Sequence, residues 1–259
     1  MSKSTKKYEA VKSEGANTRY IFDTIVLEAP LQININNKPY TVVMRTPGKD
    51  EFLIRGLLYA EDIYKGDKNF GLEIVEDTPN FFTIINLTIN EDHLGNGYLN
   101  KRTLLSVSSC GVCGKQTLDS LETKGAILAK GKDINWNSIS IMLTKMQEQQ
   151  KTFTSTGASH AASLFNNELE LLSIQEDIGR HNAVDKVIGE LKNKKQLKNA
   201  KFLLVSGRVS YEIVTKAFIA KINTIIAVSG CSSLAIDFAK EFGIKLIGFA
   251  RDGKSTIYS

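Results

Sequence analysis

The apolar positions of this chain follow two different periods. Residues 21–46 read as strands, with a period of two clearest in LQINI. LQINI alternates apolar and polar residues, Asn36-Asn37 marks a turn, and YTVVM resumes the run, which is how paired strands with one covered face read. FFTIINLTI, residues 81–89, reads as a further strand. Between these runs, TPGKDEFLIRGLLYAEDI switches to the helical period, with Phe52, Leu53, Gly56, Leu57 and Ala60 on one face. Thr46 suits the cap of that helix and Pro47 its first position, and Asp50 and Glu51 favour the positive end of its dipole.

The second half changes rhythm. A helix is predicted near 137–150, with Asn137 or Ser138 as its cap. KFLLVSG, TIIAVSG and IKLIGFA read as strands, separated by the helical runs VSYEIVTKAFIAK and SSLAIDFAKEFG. This βαβαβ alternation predicts a parallel sheet layered with helices, so the fold class is α/β. In EDIGRHNAVDKVIG, Val184, Val187, Ile188 and Leu191 recur at helical spacing. Asn182 is placed to cap that helix and leaves Gly179, Arg180 and His181 in the turn before it, while Asp185 and Lys186 read as exposed. The resulting division is a flexible leader over 1–18, a β-rich part over 19–106, a mobile cysteine loop and connector over 107–136, and an α/β domain over 137–259.

Composition narrows the class without naming a function. At 42% hydrophobic and 24% charged residues, 259 residues suffice for a buried core. A formal charge of +5 permits an anionic ligand and does not point to nucleic acid. The basic first fifteen residues lack the apolar stretch of a secretory signal, and no run approaches a membrane span. A cytoplasmic protein with reduced thiols is the expectation.

In open α/β sheets, ligands gather beyond the carboxyl ends of the strands. Here those ends carry Ser206, Gly207 and Arg208, then Gly230 and Ser232, then Phe249, Ala250, Arg251, Asp252, Gly253 and Lys254. Glycines allow close backbone approach, serine hydroxyls and helix amides suit phosphate oxygens, and an arginine can hold a phosphate with two parallel hydrogen bonds. The plain alternative is three ordinary turns. His160, Arg180 and His181, each near a glycine, add candidate anion ligands.

SSCGVCGK holds Cys110 and Cys113, two of the three cysteines. Three chemistries suit a C-x-x-C. A structural zinc needs four ligands, and Cys231, His93, His160 and His181 are scattered with no second paired spacing. The zinc deaminase pattern is missing: Ser109 stands where its proline would be, and Gly95, Ala162 and Ala183 stand where its glutamate would follow each histidine. Disulfide exchange wants a firm helix start, whereas Gly111 and Gly114 suggest a loop. Sulfur relay needs an exposed nucleophilic thiol on an arm that can reach donor and acceptor. From the loop alone these stay open.

Five motifs in order resemble one family. SSCGVCGK, TGASHAASLF, EDIGRHNAVDKVIG, SGRVSYEIVTKA and SLAIDFAKEFGIKLIGFARDGKSTIYS are similar to the formate dehydrogenase accessory proteins of the FdhD type, across roughly residues 20–258. The resemblance implies a sulfurtransferase that receives sulfur from a cysteine desulfurase as a persulfide. It implies transfer to the molybdenum cofactor, in its bis-molybdopterin guanine dinucleotide form, bound for apo formate dehydrogenase. It also implies a homodimer, and a layered sandwich like cytidine deaminase without the deaminase zinc, with a mixed or parallel sheet in the C-terminal half. Cys110 would bear the persulfide with Cys113 assisting, and the cofactor, mimicked by a guanine nucleotide, would sit where SGR, SGCSS and FARDGK meet. Departures fall at Gly230-Cys231, Ala158-Ser159 and Ala60-Glu61-Asp62-Ile63. The rival classes are a cofactor or apo-enzyme chaperone with structural cysteines, and a zinc-dependent hydrolase.

Overall fold

The computed structural model describes residues 4–64, 66, 70–99 and 126–259. Its N-terminal part begins with a hairpin of β1 (Thr5–Glu14) and β2 (Asn17–Val26). Residues 5–14, expected as a leader, are therefore a paired strand. They escape a periodicity reading because both faces of the hairpin are largely exposed, Tyr20 and Phe22 included. Next come β3 (Ala29–Ile35), β4 (Lys38–Arg45), α1 (Asp50–Ala60), β5 (Gly71–Asp77), β6 (Thr83–Thr88) and the short α2 (Asn96–Leu99). Their sheet runs β4-β3-β6-β5. Leu31, Ile33 and Ile35 of β3 meet Ile85 and Leu87 of β6 and Leu53, Ile54, Leu57 and Leu58 of α1 in one buried cluster. Each aliphatic side chain covered in this way contributes about 1.5–3 kcal/mol.

The C-terminal part contains α3 (Trp136–Gln147), α4 (Lys151–Thr156), β7 (His160–Phe165), β8 (Leu171–Asp177) and α5 (Arg180–Asn193). It continues with β9 (Phe202–Val205), α6 (Tyr211–Ile219), β10 (Thr224–Ala227), α7 (Ser233–Phe242), β11 (Lys245–Arg251) and β12 (Lys254–Ile257). One six-stranded sheet runs β12-β11-β10-β9-β7-β8, parallel through β9, β10 and β11 and antiparallel at both flanks. Leu203, Val205, Ile225 and Ala227 face a core under α5, α6 and α7, while Phe202, Leu204 and Ile226 face a second core with α3. Strands covered on both faces read as unbroken apolar runs, which is what FLLV and TIIA are.

Three helix starts differ from the sequence reading. α1 begins at Asp50 rather than Pro47, after Lys49 in the left-handed region at φ 60°. Thr46 is committed elsewhere: its hydroxyl accepts the N–H of Ile178. Asp50 instead grips the buried Arg45 through both carboxylate oxygens, at 3.1 and 2.9 Å. For α3 the cap is Asn135, whose side chain accepts the N–H of Ser138 at 3.0 Å, in place of Asn137 or Ser138. α5 begins at Arg180, after Gly179, so Arg180, His181 and Asn182 form its first turn.

The two parts are joined by a close crossing of α1 and α5. A Cβ on Gly56 would lie 1.9 Å from the Asp185 carbonyl oxygen, and one on Gly189 would lie 1.9 Å from that of Phe52. Only glycine on each helix allows this backbone approach. Pressed between α1 and the six-stranded sheet, α5 buries ten of its fourteen residues. Asp185 and Lys186, expected to be exposed, are both buried. Asp185 pairs with Lys216 of α6 at 2.5 Å, and Lys186 pairs with Asp177 of β8 at 2.7 Å.

Candidate functional site

The carboxyl ends of β9 and β10 are laced together. Val209 donates its N–H to Gly230 O and accepts from Ser232 N, at 3.1 and 3.0 Å. On one side of this pair of loops lies Phe249, whose N–H reaches Ser229 O at 3.0 Å. Its ring lies over Gly230, 3.0 Å from where a Cβ would be. Phe249 is 44% exposed and has φ 52°, and the β11–β12 register shifts between Gly248 and Arg251. A bulge of this kind re-aims a side chain, and a left-handed aromatic residue costs on the order of 1–3 kcal/mol that its surroundings must offset.

On the other side, His160 opens β7, Arg180 opens α5, and both close on Gly207. A Cβ on Gly207 would sit 3.1 Å from His160 Nδ1 and 3.6 Å from Arg180 Cβ. The exposed Arg208 follows directly. Neither Arg180 nor Arg208 forms an ion pair among the described residues, and Arg180 Nε is buried without a hydrogen-bond partner. Burial depresses the His160 pKa, and the charges of Arg180, Arg208 and His181 depress it further, against an opposing pull from Asp177. The result is a cationic cradle, with a neutral imidazole, at the uncapped N-terminus of a fourteen-residue helix.

Behind the cradle, Asp177 accepts four hydrogen bonds. They come from Gly179 N and Asn182 Nδ2 on one oxygen, and from Thr46 N and Lys186 Nζ on the other. Lys186 also donates to Thr46 O, and Asn182 to Met44 O. The chain leaving β4 is thus tied to the turn that aims Arg180. Breaking a buried pair by removing one partner typically costs about 3–5 kcal/mol. Lys186→Met leaves Asp177 buried without its counter-charge, so urea unfolding should show a loss of that size.

Other candidate residues have different employment. His181 Nε2 lies 2.9 Å from both Ser210 Oγ and Glu212 Oε2 and ties α5 to α6. The Ser206 hydroxyl accepts the N–H of Ala161. Ser232 caps α7 through the N–H of Ala235. Ala250 is buried in the core against α3. Arg251 to Lys254 form a hairpin tip, with Asp252 at φ 53° and Gly253 at φ 75°, as a tight Asp-Gly turn requires. Arg251 is 59% exposed there, and its charge neighbour is the adjacent Asp252, at 3.9 Å. The structure therefore brings together Gly207, Arg208, Arg180 and His160, with Gly230 and Phe249 alongside, and leaves the tip in solvent. Cys110 and Cys113 lie outside the described residues. Glu212 was missed by the sequence reading, and no spacing rule links it to His181.

Comparison with known proteins decides the family. The family model described as FdhD/NarQ matches residues 26–259. The chain belongs to the FdhD/NarQ family. It is 40% identical over 252 residues to the Sulfur carrier protein FdhD of Picrophilus torridus, covering 95% of this chain and 93% of that one. It is 41% identical over 242 residues to the protein of the same name from Sulfolobus acidocaldarius, covering 92% and 89%. A solved structure from Desulfotalea psychrophila, assigned as a formate dehydrogenase accessory protein, superposes with a TM-score of 0.78 at 22% identity over 99% of this chain and 97% of that one. That likeness supports the mixed α/β fold. Among the described residues no helix is long and apolar enough to cross a membrane, and no cluster of three or more potential metal ligands occurs.

Proposed function

We propose that this protein carries sulfur to a molybdenum cofactor destined for formate dehydrogenase. The observation that supports this most directly is its 40% identity, over nearly its whole length, to a protein named Sulfur carrier protein FdhD. The chain also keeps SSCGVCGK intact. In this reading Cys110 accepts a sulfane sulfur from a cysteine desulfurase as a persulfide, with Cys113 beside it. The protein acts in the cytoplasm as a homodimer and hands the sulfur to bis-molybdopterin guanine dinucleotide held at the strand ends.

The cradle suits that substrate. Arg180 and Arg208 are free to take phosphate oxygens, and Gly207, without a side chain, lets its backbone pack against His160 and Arg180. Phe249, displayed on its bulge, offers a flat apolar face for a nucleobase.

Guanosine diphosphate is the test ligand. Removing a charge-assisted bond to a phosphate costs roughly 1.5–3 kcal/mol, about ten- to a hundredfold in affinity. Calorimetric titration should show that loss for Arg208→Ala and for Arg180→Ala. Arg251→Ala should cost less than either, because its side chain stands at the exposed tip. Equal affinity of wild type, Arg180→Ala and Arg208→Ala would move the nucleotide away from the cradle.

A further inference from the structure

His160 stands where four charged or titratable groups meet. Asp177 is its direct partner across the β7–β8 ladder, Arg180 and His181 come from α5, and Arg208 comes from the loop after β9. These groups are not equally available. Asp177 is matched by Lys186 at 2.7 Å, and His181 is held against Glu212 at 2.9 Å. Arg180 and Arg208 have no carboxylate partner among the described residues. The uncompensated field at the imidazole is therefore positive, and the ring is partly buried. Both effects favour its neutral form.

An anion entering the cradle reverses the balance. It would take the two guanidinium groups as partners, beside the Nδ1 edge of His160 that packs against the Gly207 backbone. Negative charge there stabilises an imidazolium, which can donate to an anion oxygen where a neutral acceptor nitrogen would repel it. We propose that the cradle takes up one proton from solvent together with its anion, and that His160 receives it. This rests on the cradle being the anion site described above. The sign follows from linkage. His160 binds its proton more tightly in the complex than in the free protein, so affinity rises as pH falls through the pKa of the complex and levels off below that of the free protein. In between, affinity gains up to about tenfold per pH unit for one proton.

Sulfate is the suitable probe, because it stays a dianion across the range in which histidine titrates. Calorimetry of the whole chain at pH 5.5–8, in two buffers of different ionisation heat, reads proton uptake directly. The expected result is uptake approaching one proton per sulfate, with tighter binding at lower pH. In His160→Gln the affinity should no longer vary with pH. The chain has three histidines, so nuclear magnetic resonance can follow each ring. His181→Gln and His93→Gln provide the assignments. In wild type the His160 resonance should titrate at higher pH with sulfate than without it, a readout that needs no variant at the cradle. No sulfate binding at tens of millimolar would overturn the anion site itself. Binding without proton uptake would leave the site standing and overturn the linkage. Uptake that persists in His160→Gln would assign the proton to another group and overturn the proposal.

Discussion

Gly189→Ala should destabilise the protein by about 3 kcal/mol or more and deplete the soluble folded fraction. The new methyl carbon would lie 1.9 Å from Phe52 O, 2.7 Å from Gly56 N and 2.8 Å from Phe52 C. These are backbone atoms of α1, so no side-chain rotation relieves the overlap. Relief requires α1 and α5 to separate by more than an ångström. Helix propensity pushes the other way, since alanine in a helix interior is better than glycine by about 1 kcal/mol. Overpacking a tight core costs typically 1–3 kcal/mol, and more where backbone must move. The steric cost wins. Gly56→Ala meets Asp185 O at the same distance and should behave alike. Because both changes strain one contact, the double variant should lose less than the sum of the two. Urea unfolding of each single variant and of the pair measures all three. A stabilised Gly189→Ala would mean that the crossing is looser than the structure has it. The consequence reaches the proposed anion site, because α5 carries Arg180 at its first position and is held by this crossing.

How much of this was legible beforehand depends on the range of the interactions. The parallel centre of the large sheet was readable because FLLV and TIIA are covered on both faces and alternate with helices, a pattern confined to short windows. The expectation that candidate residues gather at the strand ends followed from that topology. The start of α1 was misplaced because Thr46 bonds Asp177 and Ile178, 131 and 132 residues away, and no local rule weighs such a partner against a cap. Asp185 and Lys186 were read as solvated for the same reason: their counter-charges stand on α6 and β8. The Asp-Gly of FARDGK is also the signature of a tight hairpin, and that is the form it takes. His160, Arg180 and Arg208 were named as candidates, but their closure on Gly207 is a tertiary fact.

Cys110→Ala is expected to abolish persulfide loading while the chain still folds. The argument starts with the thiol that competes for the role. Cys231, the third cysteine, is partly buried and packs against the core under α5, α6 and α7, and burial pushes its thiol pKa to about 11. At neutral pH roughly one such thiol in ten thousand is a thiolate, and the thiolate is the form that attacks sulfur. Cys231→Ser should therefore leave loading intact. Attack on a desulfurase persulfide needs an accessible thiolate that can enter the donor's site, and the glycine-flanked SSCGVCGK is the remaining place with cysteines. In the proposed relay, Cys110 thiolate attacks the outer sulfur of the donor persulfide. The donor cysteine leaves as thiolate, and Cys110 carries the sulfane sulfur. Cys113→Ala should impair later transfer to the acceptor more than it impairs loading. Intact mass after incubation with a cysteine desulfurase and free cysteine reads the outcome. Wild type and Cys231→Ser should gain one sulfur that a thiol reductant removes, and Cys110→Ala should gain none. Loading retained in Cys110→Ala would sink the assignment. Loading absent from wild type, with guanosine diphosphate still bound at the cradle, would favour a cofactor-binding chaperone over a carrier.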